Sequence, residues 1–271
     1  MDARILVTGS EGYVGRETVF ALESEKAQCV RYDKTLGLNC MNPVRVWSSM
    51  RGADAVLHLA ALKSVPESRQ YPVRYFINNF MGSLVVSAIA KWQGVPVVFA
   101  SSAAVYVGDS PYALSKQWEE RAIRWMTNPH VILRYFNIGG KSEHTDDPDS
   151  TNLFSVIGST SILRVRNARS TRDYTHVSDV AEANVAALKH VLHGGASFCT
   201  DIFSGSQASV LDVLSIYRFL GKRVQYEIGS EIEPSPQPSV DNRHILGWVP
   251  KQSLQEIVAS ELRYTYPTYD A

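Results

Sequence analysis

Through its first half the chain alternates short apolar runs with longer stretches in which apolar residues recur at helical spacing. The runs Arg4–Thr8, Gln28–Asp33, Asp54–Ala60, Val97–Ala100 and Val131–Phe136 read as buried strands bounded by turn residues. Between them, Arg16–Glu25, Pro43–Met50, Tyr71–Gln93 and Tyr112–Met126 read as helices. In Tyr71–Gln93 the apolar set Phe76, Phe80, Leu84, Val85, Ala88 and Ile89 belongs to a core or a subunit interface. A brief strand is expected ahead of the loop at Asn39–Pro43. This alternation up to Phe136 predicts an α/β fold built on a doubly wound parallel sheet.

After Lys141 the pattern breaks up. Ser142–Asn152 is polar and turn-rich, and its aspartates lack partners at metal-ligand spacing, so no metal is expected. A helix is predicted at Val180–Leu192, with Asp179 and Glu182 at capping-box spacing. Short strands at Phe198–Ile202 and Val224–Ile228, helices at Val210–Phe219 and Leu254–Tyr264, and the irregular, proline-rich Glu231–Pro238 complete the chain. The expected division is a Rossmann domain over 1–138, with 172–193 packing back onto it. A smaller C-terminal substrate-binding lobe takes 139–171 and 194–271.

Composition narrows the class. The chain has 271 residues, with 27 Lys plus Arg against 27 Asp plus Glu, so net charge gives no reason to expect nucleic acid or an anionic membrane. Its 3 cysteines, without CxxC spacing, read as free thiols of a reducing compartment. No run of transmembrane length and no basic leader is expected, which points to the cytoplasm.

Chemistry enters at the first turn. Gly9, Gly12 and Gly15 sit between a strand and a helix, the setting in which a glycine fingerprint binds a dinucleotide. Gly9 allows the turn, Gly12 lets backbone approach a pyrophosphate at the helix N-terminus beside Tyr13 and Val14, and Gly15 lets helix and strand pack closely. Asp33 ends the second strand about eighteen residues later, near the spacing of a ribose-binding carboxylate, and favours NAD over NADP. Arg31 and Lys34 keep the phosphate form open. Asn39 and Cys40 pass near the adenine. Leu59 and Ala60 end a strand and Ala61 and Lys63 follow it at the ligand-bearing rim, and Asn78 or Asn79 bonds the cofactor or a nearby loop. His58 reads as a hydrogen-bonded core histidine. Arg164, Arg166, Arg169 and Arg172 form a local basic cluster that suits a diphosphate or a solvated surface.

The stretch Val97–Lys116 carries the reaction chemistry. An apolar strand empties into Ser101 and Ser102, and a helix then opens with Tyr112 and Lys116 one turn apart on a single face. Tyrosine, with a pKa of about 10, is a weak base until a neighbouring ammonium favours the phenolate. The adjacent serine is placed to hold the oxygen that loses its proton.

Together these motifs resemble the extended short-chain dehydrogenase/reductases, and within them the UDP-glucose (UDP-galactose) 4-epimerases. The resemblance runs nearly the whole chain. It rests on His58–Ser68, Asn78-Asn79, Ser101–Tyr106, Tyr112-x-x-x-Lys116, Leu133–Asn137 and Arg172–Val177. It implies bound NAD, Tyr112 as catalytic base, Lys116 on the nicotinamide ribose and Ser102 on the sugar O4. It places Lys63, Asn78 and Phe136 in the NAD site, and Asn137, Asn152, Leu153 and Arg172 on a UDP-hexose. A homodimer is implied through the helices of Phe76 and Tyr112.

Three departures stand out. The connection from Val107 to Tyr112 is short, the C-terminal region is trimmed, and Glu231–Pro238 lies where relatives place a second diphosphate arginine. Arg164, Arg166 or Arg223 are the available substitutes. Ser239 falls near a position that gates acetamido sugars by size. Among rivals, a dehydratase needs an acid and a base where Ala103 and Ala104 stand. A 4-keto-sugar reductase would release its cofactor, and a non-catalytic dinucleotide binder would be expected to lose Tyr112 or Lys116.

Overall fold

The computed structural model describes residues 1–127, 129–144, 152–159, 162–165, 167–229 and 235–265. β1 (Arg4–Thr8) leads into α1 (Tyr13–Ser24), followed by β2 (Gln28–Tyr32), α2 (Pro43–Met50), β3 (Ala55–His58), α3 (Val65–Gln70), α4 (Pro72–Tyr75) and α5 (Gly82–Gln93). Next come β4 (Val97–Ser102), α6 (Ala104–Val107), α7 (Pro111–Met126), β5 (His130–Tyr135), β6 (Asn137–Gly139) and α8 (Leu153–Ser159). The remainder is β7 (Ile162–Val165), β8 (Thr171–His176), α9 (Val177–Leu192), β9 (Phe198–Ile202), β10 (Gln207–Ser209), α10 (Val210–Phe219), β11 (Gln225–Ile228), α11 (Arg243–Leu246) and α12 (Leu254–Thr265).

The main sheet has the order β2-β1-β3-β4-β5-β9, with every pairing parallel. It is the doubly wound sheet that the alternation predicts. Strand residues alternate between its faces, so Ile5 and Val7 enter a core shared with α1 and α9, while Leu6 enters another shared with α2 and α5. The chain leaves β1 toward β2 on one side and returns to β3 on the other. The crevice at that reversal, beyond the C-terminal ends of β1 and β3, is where such sheets bind ligands.

Smaller sheets, β10-β8-β6 and β11-β7, pack with α8, α10 and α12 around a separate core containing Phe154, Tyr174, Tyr217 and Ile257. β9 lies in the segment assigned by sequence to the smaller lobe, yet it pairs with β5 along its length in the main sheet.

Four expectations need correcting. No further strand lies between β2 and Asn39; Asp33 instead caps a 3-10 turn at Lys34–Leu36, which Gly37 closes at φ 74°. α9 begins three residues earlier than its capping-box pattern suggests, with His176 as N-cap. The Asp179 carboxylate instead accepts from the Lys251 and Gln252 N–H groups. The helix around Asn78 is wound as a π-helix over Phe76–Met81, between α4 and α5. Finally, Pro72–Gln93 does reach the length and hydropathy of a membrane span. Its Val86, Ile89 and Ala90 nevertheless belong to the core beside α2, which marks it as a helix of the fold.

Candidate active site

Gly9 stands at φ +73°, and a Cβ there would lie 2.8 Å from the Ala60 nitrogen. At Gly15 a Cβ would lie 2.0 Å from the Gly9 carbonyl oxygen, so the turn and α1 close on each other only without side chains. Gly12 is different: the nearest neighbour of an added Cβ is 3.4 Å away. Glycine at this position therefore keeps the entrance to α1 clear. α1 has no side-chain cap and no acidic residue in its first turn, so its leading N–H groups suit a pyrophosphate. The Tyr13 hydroxyl donates to the Gly140 carbonyl and ties this turn to the end of β6.

Asp33 faces the same turn. One carboxylate oxygen accepts from the Thr35 N–H at 2.9 Å and the other from the Glu11 N–H at 3.3 Å. Arg31, the candidate for a 2′-phosphate, is engaged by Glu23 at 3.2 Å and Glu11 at 3.8 Å. Lys34 is exposed. Asn39 turns its side chain to the Met41 N–H. Half-exposed Cys40 packs against the α2–α5 core, and burial pushes its thiol up to about 12. These residues fit a dinucleotide.

Past β3, Leu59, Ala60 and Ala61 are half-buried and Lys63 is exposed at the rim. The residue that fixes this loop is Asn79, bonded to both ends of Leu62 and to Ser115. Asn78, the residue named from the resemblance, donates to the Asn79 side chain at 3.1 Å.

α7 begins abruptly. Gly108 ends α6 at φ +65°, Ser110 caps α7 through the Ala113 N–H at 3.2 Å, and Pro111 occupies its first turn. Tyr112 follows, nearly buried, its ring edge-on to Tyr75 at 6.4 Å. Among the described residues its hydroxyl makes no hydrogen bond.

Lys116 is 3% exposed. Its Nζ donates to the Ala100 carbonyl at 3.0 Å and to Glu119 at 3.2 Å, over the Phe99 ring. Ser102 ends β4 half-buried, its Oγ accepting from the Ala104 N–H at 3.2 Å. Ser101 points the other way and donates to Glu120 at 2.7 Å, where Arg134 forms a two-pronged pair with the same carboxylate. Its side chain is thus committed to the core, and only its backbone is left to a cofactor. Burial would raise Glu120, but Arg134 and Ser101 outweigh it and hold the carboxyl below its ordinary value.

Phe136, assigned to the NAD site by the resemblance, is buried against Phe203. Asn137 donates to the Asp173 carbonyl at 3.3 Å. Asn152 caps α8 through the Ser155 N–H, while its buried Nδ2 finds no partner among the described residues. That orphaned donor suits a ligand oxygen. Leu153, next to it on α8, and Arg172 on β8 are half-buried. The basic cluster disperses: Arg164 pairs with Glu227 at 3.0 Å on the surface, and Arg169 and Arg223 are exposed. Arg166, the aspartates of the 145–151 loop and Glu231–Pro234 lie outside the described residues.

Sequence reasoning missed Glu119 and Asp201, and of the pair Asn78 and Asn79 that it left open it is Asn79 that bonds the nearby loop. Asp201 is fully buried, accepting from Tyr106 at 2.7 Å and from the N–H groups of Ser239 and Val240 at 2.8 and 3.0 Å. It brings the Ser239 segment against the motif after β4. A legible signal existed only for Glu119, an acid three residues after Lys116.

A family profile described as the NAD dependent epimerase/dehydratase family matches residues 5–197. A UDP-glucose 4-epimerase of Azospirillum brasilense is 31% identical, covering 96% of this chain and 91% of its own. Among solved structures, a UDP-glucose-4-epimerase of Stenotrophomonas maltophila with bound NAD and formylated UDP-arabinopyranose superposes at a TM-score of 0.86, with 24% identity and 98% of each chain covered. The UDP-Glc/GlcNAc 4-epimerase of Campylobacter jejuni superposes at 0.82, with 24% identity over 98% of this chain and 99% of its own.

Proposed function

We infer what the site does from one premise: this chain belongs to the NAD dependent epimerase/dehydratase family, in its UDP-glucose 4-epimerase branch. It is an NAD-dependent 4-epimerase of a nucleotide sugar. The sugar is a UDP-hexose, glucose and galactose or their N-acetyl forms. NAD held by Gly9, Gly12, Gly15 and Asp33 would supply the acceptor for the C4 hydride of the sugar, from which hydride would return to the opposite face. The observation that carries the reading is the placement of Tyr112 and Lys116. The lysine is pinned under β4 by the Ala100 carbonyl, two residues before Ser102, while the tyrosine precedes it by one turn on α7, its ring edge-on to Tyr75.

In this reading the Tyr112 phenolate takes the O4 proton and later gives it back, and the Ser102 hydroxyl holds O4 during both transfers. Lys116 supplies the positive charge that favours the phenolate. Gly9, Gly12, Gly15 and Asp33 hold the dinucleotide, while Asn137, Asn152 and Arg172 serve the nucleotide sugar. Small Ser239, fixed beside Tyr106 by Asp201, leaves room for an acetamido group. Ala103 and Ala104 offer no second acid or base after β4, which favours epimerisation over dehydration.

The exposed side chains Phe76, Ile77, Met81, Leu114 and Trp118 lie on the π-helix and α7. The ring of Phe80 bridges Phe76 and Trp118. This apolar face supports a homodimer, and the three free thiols support a reducing, cytoplasmic setting. The test is to incubate the purified protein with UDP-glucose, UDP-galactose and their N-acetyl forms, adding no cofactor, and to resolve the products. Interconversion of one pair is expected; no epimer from any of them would sink the reading.

A further inference from the structure

Lys116 is tied into a buried chain of hydrogen bonds that crosses four elements. Glu119 Oε2 accepts from Lys116 Nζ at 3.2 Å and from the Ser83 hydroxyl of α5 at 2.7 Å. Ser83 Oγ meets His58 Nε2 of β3 at 2.8 Å, and His58 Nδ1 meets Thr8 Oγ1 of β1 at 2.6 Å. Thr8 Oγ1 in turn accepts from the Ala60 N–H at 3.3 Å. Thr8, His58, Ser83, Lys116 and Glu119 are all at most 3% exposed.

Donor and acceptor counting fixes the direction of the chain. An ionised carboxylate only accepts, so Ser83 spends its proton on Glu119 and must itself accept from His58 Nε2–H. Nδ1 of a neutral histidine then accepts from Thr8. Burial, helped by the Lys116 charge, lowers His58 to about 3, so the ring stays neutral through any working pH. Every donor therefore points from the glycine turn toward Glu119. Among the described residues the other oxygen, Oε1, has no hydrogen-bond partner of ordinary geometry. Burial raises Glu119 above the ordinary carboxylate range, against the Lys116 charge and the Ser83 bond. Among the described residues, the charged or titratable groups facing it are Lys116 on its own helix and, through Ser83, His58 on β3.

We propose that Glu119 is a positioning residue for Tyr112: it fixes the Lys116 ammonium at the end of a one-way chain from the dinucleotide turn, and its carboxylate offsets part of the ammonium charge acting on the tyrosine. The proposal rests on Tyr112 being the base. A bare ammonium in this dry site would favour the phenolate more strongly than the ion pair does. Glu119 thus moves phenolate formation toward higher pH.

The test is the acid limb of kcat/KM for UDP-galactose in Glu119→Gln, alongside a substrate-free titration of tyrosinate absorbance with Tyr112→Phe as background. Both are expected to move to lower pH by about one unit. Glu119→Asp, which keeps the charge, is expected to restore the native profile. Ser83→Ala weakens the hold on the ionised carboxylate and is expected to give a smaller shift in the same direction. It carries the test if Glu119→Gln does not fold. Coincident profiles for the native and charge-neutral chains, or a shift to higher pH, would overturn the proposal. Turnover surviving in Tyr112→Phe would sink the base assignment instead.

Discussion

Asn79 holds the backbone of Leu62 at both ends. Its Oδ1 accepts from the Leu62 N–H at 2.8 Å, and its Nδ2 donates to the Leu62 carbonyl at 2.9 Å. The same amide reaches Ser115 on α7 at 3.1 Å. One buried side chain thus ties the rim loop after β3 to the helix of Tyr112. Asn79→Ala leaves both Leu62 groups without these partners, a loss of about 2 kcal/mol. Urea unfolding should show that decrease, and gel filtration should show weaker retention of dinucleotide. Unchanged values in both would mean that the clamp is dispensable.

Removing the Tyr112 hydroxyl leaves the ring packing against Tyr75 intact. Tyr112→Phe is expected to lower kcat by about a thousandfold, within the range for losing a general base. Dinucleotide content after purification should match the native chain.

Gly15 has no space for a methyl group, since a Cβ would stand 2.0 Å from the Gly9 carbonyl oxygen. Gly15→Ala must push α1 away from the turn, at a cost of about 2 kcal/mol. The variant should purify with little dinucleotide, read from the absorbance ratio of the released cofactor. Full occupancy would remove the glycine turn from the binding site.

Glu261 on α12 supplies a pH dependence of stability. Burial raises its carboxyl from 4.5 to about 7, with the Lys141 charge and the Gly140 backbone opposing. Between those values the unfolded chain has released a proton that the native chain keeps. The group's contribution is therefore fully present below 4.5 and is lost as pH rises through about 7. The loss amounts to ~3 kcal/mol. Glu261→Gln should flatten it, so denaturant titrations at about pH 5 and about pH 8 should differ less than in the native chain. Equal slopes for both chains would refute the assignment.

The sequence by itself determined the parallel sheet, the glycine turn and the Tyr112–Lys116 pair, because each depends on spacing within a short segment. Apolar alternation in β1 sends Ile5 and Val7 one way and Leu6 the other, whatever lies beyond. Tyr112 and Lys116 share a helical face by periodicity alone. Tertiary structure decided what those residues touch. β9 joins the main sheet through pairing with β5, a contact between segments far apart in the chain. Asn78 and Asn79 share the π-helix, and it is Asn79 that packing buries against the Leu62 loop. Glu119, Ser83, His58 and Thr8 are single polar residues on four elements, unremarkable where each stands. Only burial in one place, where an unpaired polar group is costly, joined them to Lys116.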